Sequence, residues 1–242
     1  MLKQIIRKAV NVAGYDIILT TPPDMEEPFL TMYNDCKNYT ATSIERMFSM
    51  YKAARYIVET SVPGDIVECG VWKGGSSMMC ASTLVLMKDT ERKLFLYDTY
   101  AGMTSPTDKD VDYKGNKADR SQLNKWCVVP VADVKKAMLL TRYPPDNIWF
   151  VEGKVEDTIP GVIPDRIAVL RLDTDFYEST YHELKWLFPK LVPGGVLIVD
   201  DYGHFRGVRE AVDKYLADNK IRILLDRIDY TGRIGIKQVP LC

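Results

Sequence analysis

The residues that carry the most chemistry are carboxylates at the ends of apolar runs. Arg166-Ile-Ala-Val-Leu-Arg-Leu-Asp173 and Gly195-Val-Leu-Ile-Val-Asp200-Asp201 each read as a buried strand that stops on acid. Brought together, Asp173, Asp200 and Asp201 repel one another, so they either take up protons or share a cation. An all-oxygen set suits a hard ion such as magnesium or calcium better than zinc. Asp175 has two readings, as a catalytic residue or as the start of an Asp175-x-x-Glu178 capping box. His204, three positions after Asp201, is either a second proton acceptor or an ordinary surface or core histidine. The plain alternative is a solvated Asp200-Asp201 turn, with Asp173 capping the next helix.

Elements must bring these acids together. Leu184, Leu187, Phe188 and Leu191 recur at helical spacing, and Pro193-Gly194-Gly195 reads as the end of that helix. Strand, helix and strand make a right-handed crossover with parallel strands. If the strands are neighbours, their carboxyl ends lie ~5 Å apart, at the edge where open α/β sheets bind ligands. Upstream, Ile66–Gly70 runs into Gly74-Gly75-Ser76-Ser77 and a helix rich in Met, Ala and Leu. A strand, glycine turn and helix N-terminus let backbone approach a ligand closely. The spacing Glu68-x-Gly70-x-x-x-Gly74-Gly75 is not the GxGxxG of pyrophosphate binders, which argues against the rival reading, a nicotinamide oxidoreductase. A strand from Lys93 ends on Asp98, well placed to accept from ribose hydroxyls.

Other segments complete the frame. Residues 1–38 read as an irregular lead-in broken at Pro22-Pro23 and Glu26-Glu27-Pro28, and one domain fills 39–242. A helix starts near Ile44 behind a Thr42-x-x-Glu45 capping-box spacing. Ala101 to Trp126 is long and polar, as lids are. A helix over 131–143 and a strand over 147–153 follow. Arg222–Ile228 and Ile234–Val239 flank a Thr231-Gly232 turn as a terminal hairpin. The architecture is α/β, a mainly parallel sheet closed by an antiparallel hairpin.

Composition narrows the partners. The 242 residues suit one large domain, and 46% hydrophobic with 27% charged content is ordinary for a globular chain. A net charge of -1 gives no case for nucleic acid or an acidic membrane surface. No run of ~20 apolar residues offers a membrane span, and the N-terminal apolar run is too broken for a signal peptide. Five cysteines without framework spacing point to reduced thiols and a cytoplasmic location. Ile5, Ile6, Val10, Ile17, Ile18 and Leu19 could form an oligomer interface or an active-site cover.

Glu68-Cys-Gly70-Val-Trp-Lys-Gly74-Gly75-Ser76, then Tyr97-Asp98-Thr99 with Gly102-Met103, then Asp173-Thr-Asp175-Phe-Tyr177-Glu-Ser179-Thr180, then Pro193-Gly194-Gly195 and Val199-Asp200-Asp201-Tyr202 stand in a telling order. From about Tyr39 onward the chain resembles the TylF-like macrocin O-methyltransferases. The resemblance implies a class I Rossmann-like fold, a mostly parallel seven-stranded sheet with a reversed strand and helices on both faces. It implies S-adenosylmethionine and Mg2+ as cofactors, and a sugar or sugar-bearing small molecule with a free hydroxyl as acceptor. Glu68, Gly70 and Gly74 would surround the methionine part of the cofactor and Asp98 its ribose. Trp72, Ser76, Thr99 and Gly153, with Thr42 or Ser43, complete the expected contacts. Asp173, Asp200 and Asp201 would bind the metal, with Asp175 or Asp173 as base. Thr174 departs from the family pattern, which more often has glycine, and a β-branched residue there would narrow the acceptor side. A cofactor-binding protein without catalysis is the remaining alternative.

Overall fold

The computed structural model describes Val12 and residues 22–238. The candidate interface residues from Ile5 to Leu19 lie outside this range. Seven strands form one sheet: β1 (Asp65–Cys69), β2 (Leu94–Asp98), β3 (Ile148–Glu152), β4 (Ile167–Leu172), β5 (Leu191–Val199), β6 (Asp226–Arg227) and β7 (Arg233–Ile236). Their order is β3-β2-β1-β4-β5-β7-β6. The first five run parallel, and β7 pairs antiparallel with both β5 and β6. The expected mainly parallel sheet with a reversed terminal hairpin is what forms.

Central strands alternate their side chains between two apolar layers, as a two-residue period requires. Ile66, Val169 and Ile198 face the layer built by α1 (Glu27–Cys36), α2 (Ile44–Glu59), α3 (Gly75–Leu86) and α5 (Val131–Leu139). Val67, Leu170 and Leu197 face the layer under α7 (Tyr177–Leu187) and α8 (Arg206–Asp218). Each such side chain contributes about 1.5–3 kcal/mol on burial. Among the described residues the two remaining α-helices, α4 (Arg120–Cys127) and α6 (Val155–Thr158), are short.

Three local expectations need correction. The lead-in is not irregular from Glu27 on: Pro28 sits in the first turn of α1, where its missing N–H costs nothing. Phe29 and Cys36 of that helix are buried in the same core as the rest of the chain. The crossover helix ends at Leu187 rather than at Pro193, because Pro189 cannot donate to the helical ladder. Leu191 then belongs to β5, and Pro193-Gly194-Gly195 forms its irregular entry. Ser43, not Thr42, caps α2, accepting from the Arg46 amide at 3.2 Å.

Candidate active site

Strand register builds the site. Cys69 pairs with Leu172 and Leu172 with Val199, so Gly70, Asp173 and Asp200 emerge side by side. The Asp173 amide donates to the Cys69 carbonyl at 2.8 Å, and the Asp200 amide to the Leu172 carbonyl at 2.9 Å. Strand order reverses between β1 and β4, the place where open sheets leave a crevice. Gly70 makes this approach possible. Its φ is +83°, and a Cβ there would collide with the Asp173 carbonyl group.

Oxygens of Asp173, Asp175 and Asp201 lie within 4.8 Å of one another. Asp200, expected beside them as a ligand, is engaged by two guanidiniums instead. Arg46 pairs with its Oδ2, and Arg171 reaches its Oδ1 at 2.8 Å. Arg171 is buried and also pairs with Glu68 at 2.5 Å and with Asp173 at 2.8 Å. Burial pushes Asp173 and Asp201 well above the usual carboxylate range, against the pull of Arg171 on Asp173. Burial takes Asp175 to about 7. Oδ2 of Asp201 is buried with no hydrogen-bond partner. Three carboxylates that resist ionising together, one with an orphaned oxygen, form a donor set that fits a hard divalent cation.

Asp175 does not cap α7. The cap position is Phe176, and the Tyr177 amide donates to Asp110 Oδ1 at 2.8 Å. Asp175 holds φ +67°, a left-handed conformation that is strained for a residue with a Cβ. His204 lines the same cleft, and burial keeps its ring below the ordinary histidine value, which favours the neutral imidazole. Cys127 also lines it, but burial pushes that thiol up to about 12, which disfavours the thiolate at neutral pH.

The cleft encloses about 290 Å3 and continues from the acids to the glycine turn. Of the residues expected to contact the cofactor, Thr42, Glu68, Gly70, Trp72, Ser76, Asp98, Thr99 and Gly153 line it. Gly74 and Ser43 do not. Gly74 is the left-handed residue that starts α3, and the Ser43 hydroxyl donates to Asp229 at 2.7 Å. Asp98 accepts from the amides of Val71, Trp72 and Tyr100 at 2.7–2.9 Å, so it braces the turn. A carboxylate has about four acceptor sites, which leaves capacity for a ribose hydroxyl. The Ser77 hydroxyl donates to Glu68.

The polar connection is docked over this cleft. Asp110 is fully buried and takes the Thr107 amide and hydroxyl as well as the Tyr177 amide. At the far end, Trp72 Nε1 donates to the Trp126 carbonyl at 3.1 Å, with the rings edge to face. Sequence reasoning missed Arg46, Arg171 and Tyr230 as lining residues. Only Arg171 gave a signal, a charge inside an apolar strand that needs buried partners.

A seven-stranded sheet with a reversed hairpin, a glycine turn after β1 and an acid at the end of β2 is the arrangement of the class I methyltransferases. The family model for macrocin O-methyltransferases (TylF) matches residues 2–234. A Streptomyces olivaceus enzyme, 8-demethyl-8-(2,3-dimethoxy-alpha-L-rhamnosyl)-tetracenomycin-C 4'-O-methyltransferase, is 34% identical over 80% of this chain and 74% of its own length. Demethyldecarbamoylnovobiocin O-methyltransferase of Streptomyces niveus is 32% identical over the same shares. Among solved structures, the O-methyltransferase NovP superposes with a TM-score of 0.74 at 31% identity, covering 83% of each chain. The chain belongs to the TylF macrocin O-methyltransferase family, and it is an S-adenosylmethionine-dependent O-methyltransferase. Neither the oxidoreductase nor the non-catalytic reading accounts for that membership.

Proposed function

We propose that this enzyme methylates a hydroxyl of a sugar or glycosylated small molecule with the help of a Mg2+-type cation. The observation that carries the reading is the meeting of Asp173, Asp175 and Asp201 at the end of the cofactor cleft. Relatives support the acceptor class: one is named for a rhamnosyl-bearing substrate and another, 30% identical, as mycinamicin III 3''-O-methyltransferase.

When bound, S-adenosylmethionine supplies an electrophilic methyl group, and a divalent cation lowers the pKa of a hydroxyl and fixes its oxygen. Asp173 and Asp201 would hold the cation, since such ions are commonly bound through one or two carboxylates with water completing the shell. Asp175, within 4.8 Å of both, is the proton acceptor, because a carboxylate not committed to a cation keeps its basicity. Asp200 holds Arg46 and Arg171 in place beside the acids. The glycine turn, braced by Asp98, and the Trp72–Trp126 contact position the donor against the acceptor, and positioning is most of what in-line transfer requires. The four described cysteines form no disulfide, in keeping with a cytoplasmic location. No described helix is long and apolar enough to cross a membrane.

The test uses two variants. Asp175→Asn should lower kcat by roughly 100-fold or more while calorimetry shows S-adenosylhomocysteine and Mg2+ still binding. Asp201→Asn should lose Mg2+ affinity and activity together. Equal wild-type turnover in Mg2+ and in excess chelator would remove the cation from the reaction.

A further inference from the structure

Three aromatic side chains from three separate segments meet at the acidic end of the cleft. His204 follows β5, Tyr113 comes from the polar connection, and Tyr230 from the β6–β7 turn. The His204 ring lies edge to face with Tyr113 at 5.6 Å and with Tyr230 at 6.2 Å. His204 and Tyr230 line the cleft, and Tyr113 stands beside His204 at its rim. Both tyrosines are large and unusually bare, at 51% and 59% exposure. Lys114 reaches over the Tyr113 ring at 5.4 Å, and the Tyr230 hydroxyl sits 3.5 Å from His204 Nδ1.

The backbones beneath these rings are fixed. Asp112 forms an antiparallel bridge with Phe205, and its carboxylate accepts from the Lys114 and Asn116 amides at 2.8 Å. Arg206 donates to the Tyr113 carbonyl at 3.3 Å. Beneath Tyr230, Asp229 accepts from the Thr231 and Gly232 amides, which sets the turn that carries the ring. Exposed rings on tethered loops keep a binding surface open without folding it into the core, and two-χ aromatic side chains lose little freedom on contact.

From this geometry we propose that Tyr113, His204 and Tyr230 form an aromatic subsite for the part of the acceptor that lies beyond the methylated sugar, a flat ring with an apolar face. The inference rests on the sugar-acceptor reading above and adds which end of the acceptor the enzyme grips. His204 follows Asp201 closely in the chain, and its amide donates to the Asp201 carbonyl at 3.0 Å. A sugar whose hydroxyl reaches the acids would then extend its other end toward these rings. Such a ring comes either from an aromatic aglycone or from a second sugar presenting its C–H face. Both stack on the same surface, and acceptors of the two kinds distinguish them.

The experiment compares kcat/KM for methyl α-L-rhamnoside, 4-nitrophenyl α-L-rhamnoside and a rhamnosyl disaccharide, with S-adenosylhomocysteine binding as the check on folding. Wild type should favour one or both of the longer acceptors over the methyl glycoside by about tenfold or more, the scale of one or two aromatic contacts. The Tyr113→Ala, Tyr230→Ala double variant should bring that preference close to one. Tyr113→Phe and Tyr230→Phe, which keep the rings, should retain it. An aryl preference alone identifies an aromatic aglycone, and a disaccharide preference alone identifies a second sugar. If wild type turns over the glycosides without preference, or the double alanine variant keeps the preference, the subsite is wrong and the sugar-acceptor reading stands. If wild type turns over none of them but binds S-adenosylhomocysteine, both readings fall.

Discussion

Thr174 shows how much one side chain can decide here. Its β-branch is expected to narrow the acceptor side, and it does line the cleft. Its hydroxyl, however, donates to Glu183 Oε1 at 2.9 Å, tying the Asp173–Asp175 loop to α7. Glu183 is fully buried, its other oxygen has no partner, and burial pushes its carboxyl well above the usual range. Thr174→Gly should therefore lose about 1–3 kcal/mol of stability, the penalty for unmaking a buried hydrogen bond. It should also lower kcat by roughly tenfold, through misplacement of the reacting groups, and Thr174→Ser should restore both. Denaturation curves and steady-state kinetics on the two variants decide it; a glycine variant with wild-type stability and kcat would leave the contact without a role. The acids of this region were legible because apolar runs that stop on carboxylates are unusual. Their division of labour was not. Which aspartate meets Arg46 and which joins the cluster depends on rotamers and on a helix more than a hundred positions away in the chain.

At the scale of elements, helices and strands with strong periodicity were readable, and their ends were readable only where punctuation was unambiguous. Pro189 outweighs the apolar spacing that would carry α7 on to Leu191. Helix α2 starts at Ile44 as read, but its cap moved by one residue because Ser43, like Thr42, is a competent cap, and tertiary contact chose between them. That contact is Asp229, which accepts from Ser43 and from Arg46 at 3.0 Å and so joins the α2 N-terminus to the terminal hairpin. Burial would raise the Asp229 carboxyl, but Ser43, the Gly232 and Thr231 amides and Arg46 together hold it below its ordinary value. A depressed acid stabilises the fold above its unfolded pKa of about 4, and that contribution vanishes as pH falls through the folded value. Asp229→Asn should thus be less stable than wild type at pH 7 by about 1–3 kcal/mol, with the gap closing as pH falls below the ordinary aspartate range and through the depressed folded value. The lid makes a different case. Helix α4 has no buried residue and is held mainly by Trp126 against Trp72 and by Asn124, which accepts from the Met103 amide. Sparse burial marks segments that open locally. Limited proteolysis should cut first between residues 104 and 127, and S-adenosylhomocysteine should slow that cut; protection that does not change with the cofactor would mean that the segment is no lid.

Taken whole, the molecule is two apolar layers around a sheet whose carboxyl edge carries more acid than it can hold unaided. Arg171 is the compensating charge. It stands on β4 and reaches Glu68 on β1 and Asp200 after β5, so one guanidinium joins three adjacent strands at the level of the site. Its own charge is retained despite burial, because Asp173, Asp200 and Glu68 surround it. Removing one member of a buried ion network leaves the others charged and unpaired, which costs about 3–5 kcal/mol, whereas removing both partners of a pair is far milder. Arg171→Met should accordingly destabilise the protein by that amount. Glu68→Gln should do so less, since the amide oxygen that replaces the carboxylate can still accept from Ser77 or from the arginine. The double variant should recover part of the loss of Arg171→Met, giving a coupling of about 1–3 kcal/mol in a double-mutant cycle. Full recovery is not expected, because Asp173 and Asp200 remain without their guanidinium. Mg2+ should stabilise Arg171→Met by a larger margin than wild type, as the cation becomes the main positive charge left beside Asp173. Strict additivity of the two substitutions, together with an equal Mg2+ effect on both proteins, would show that the sheet edge does not depend on this arginine.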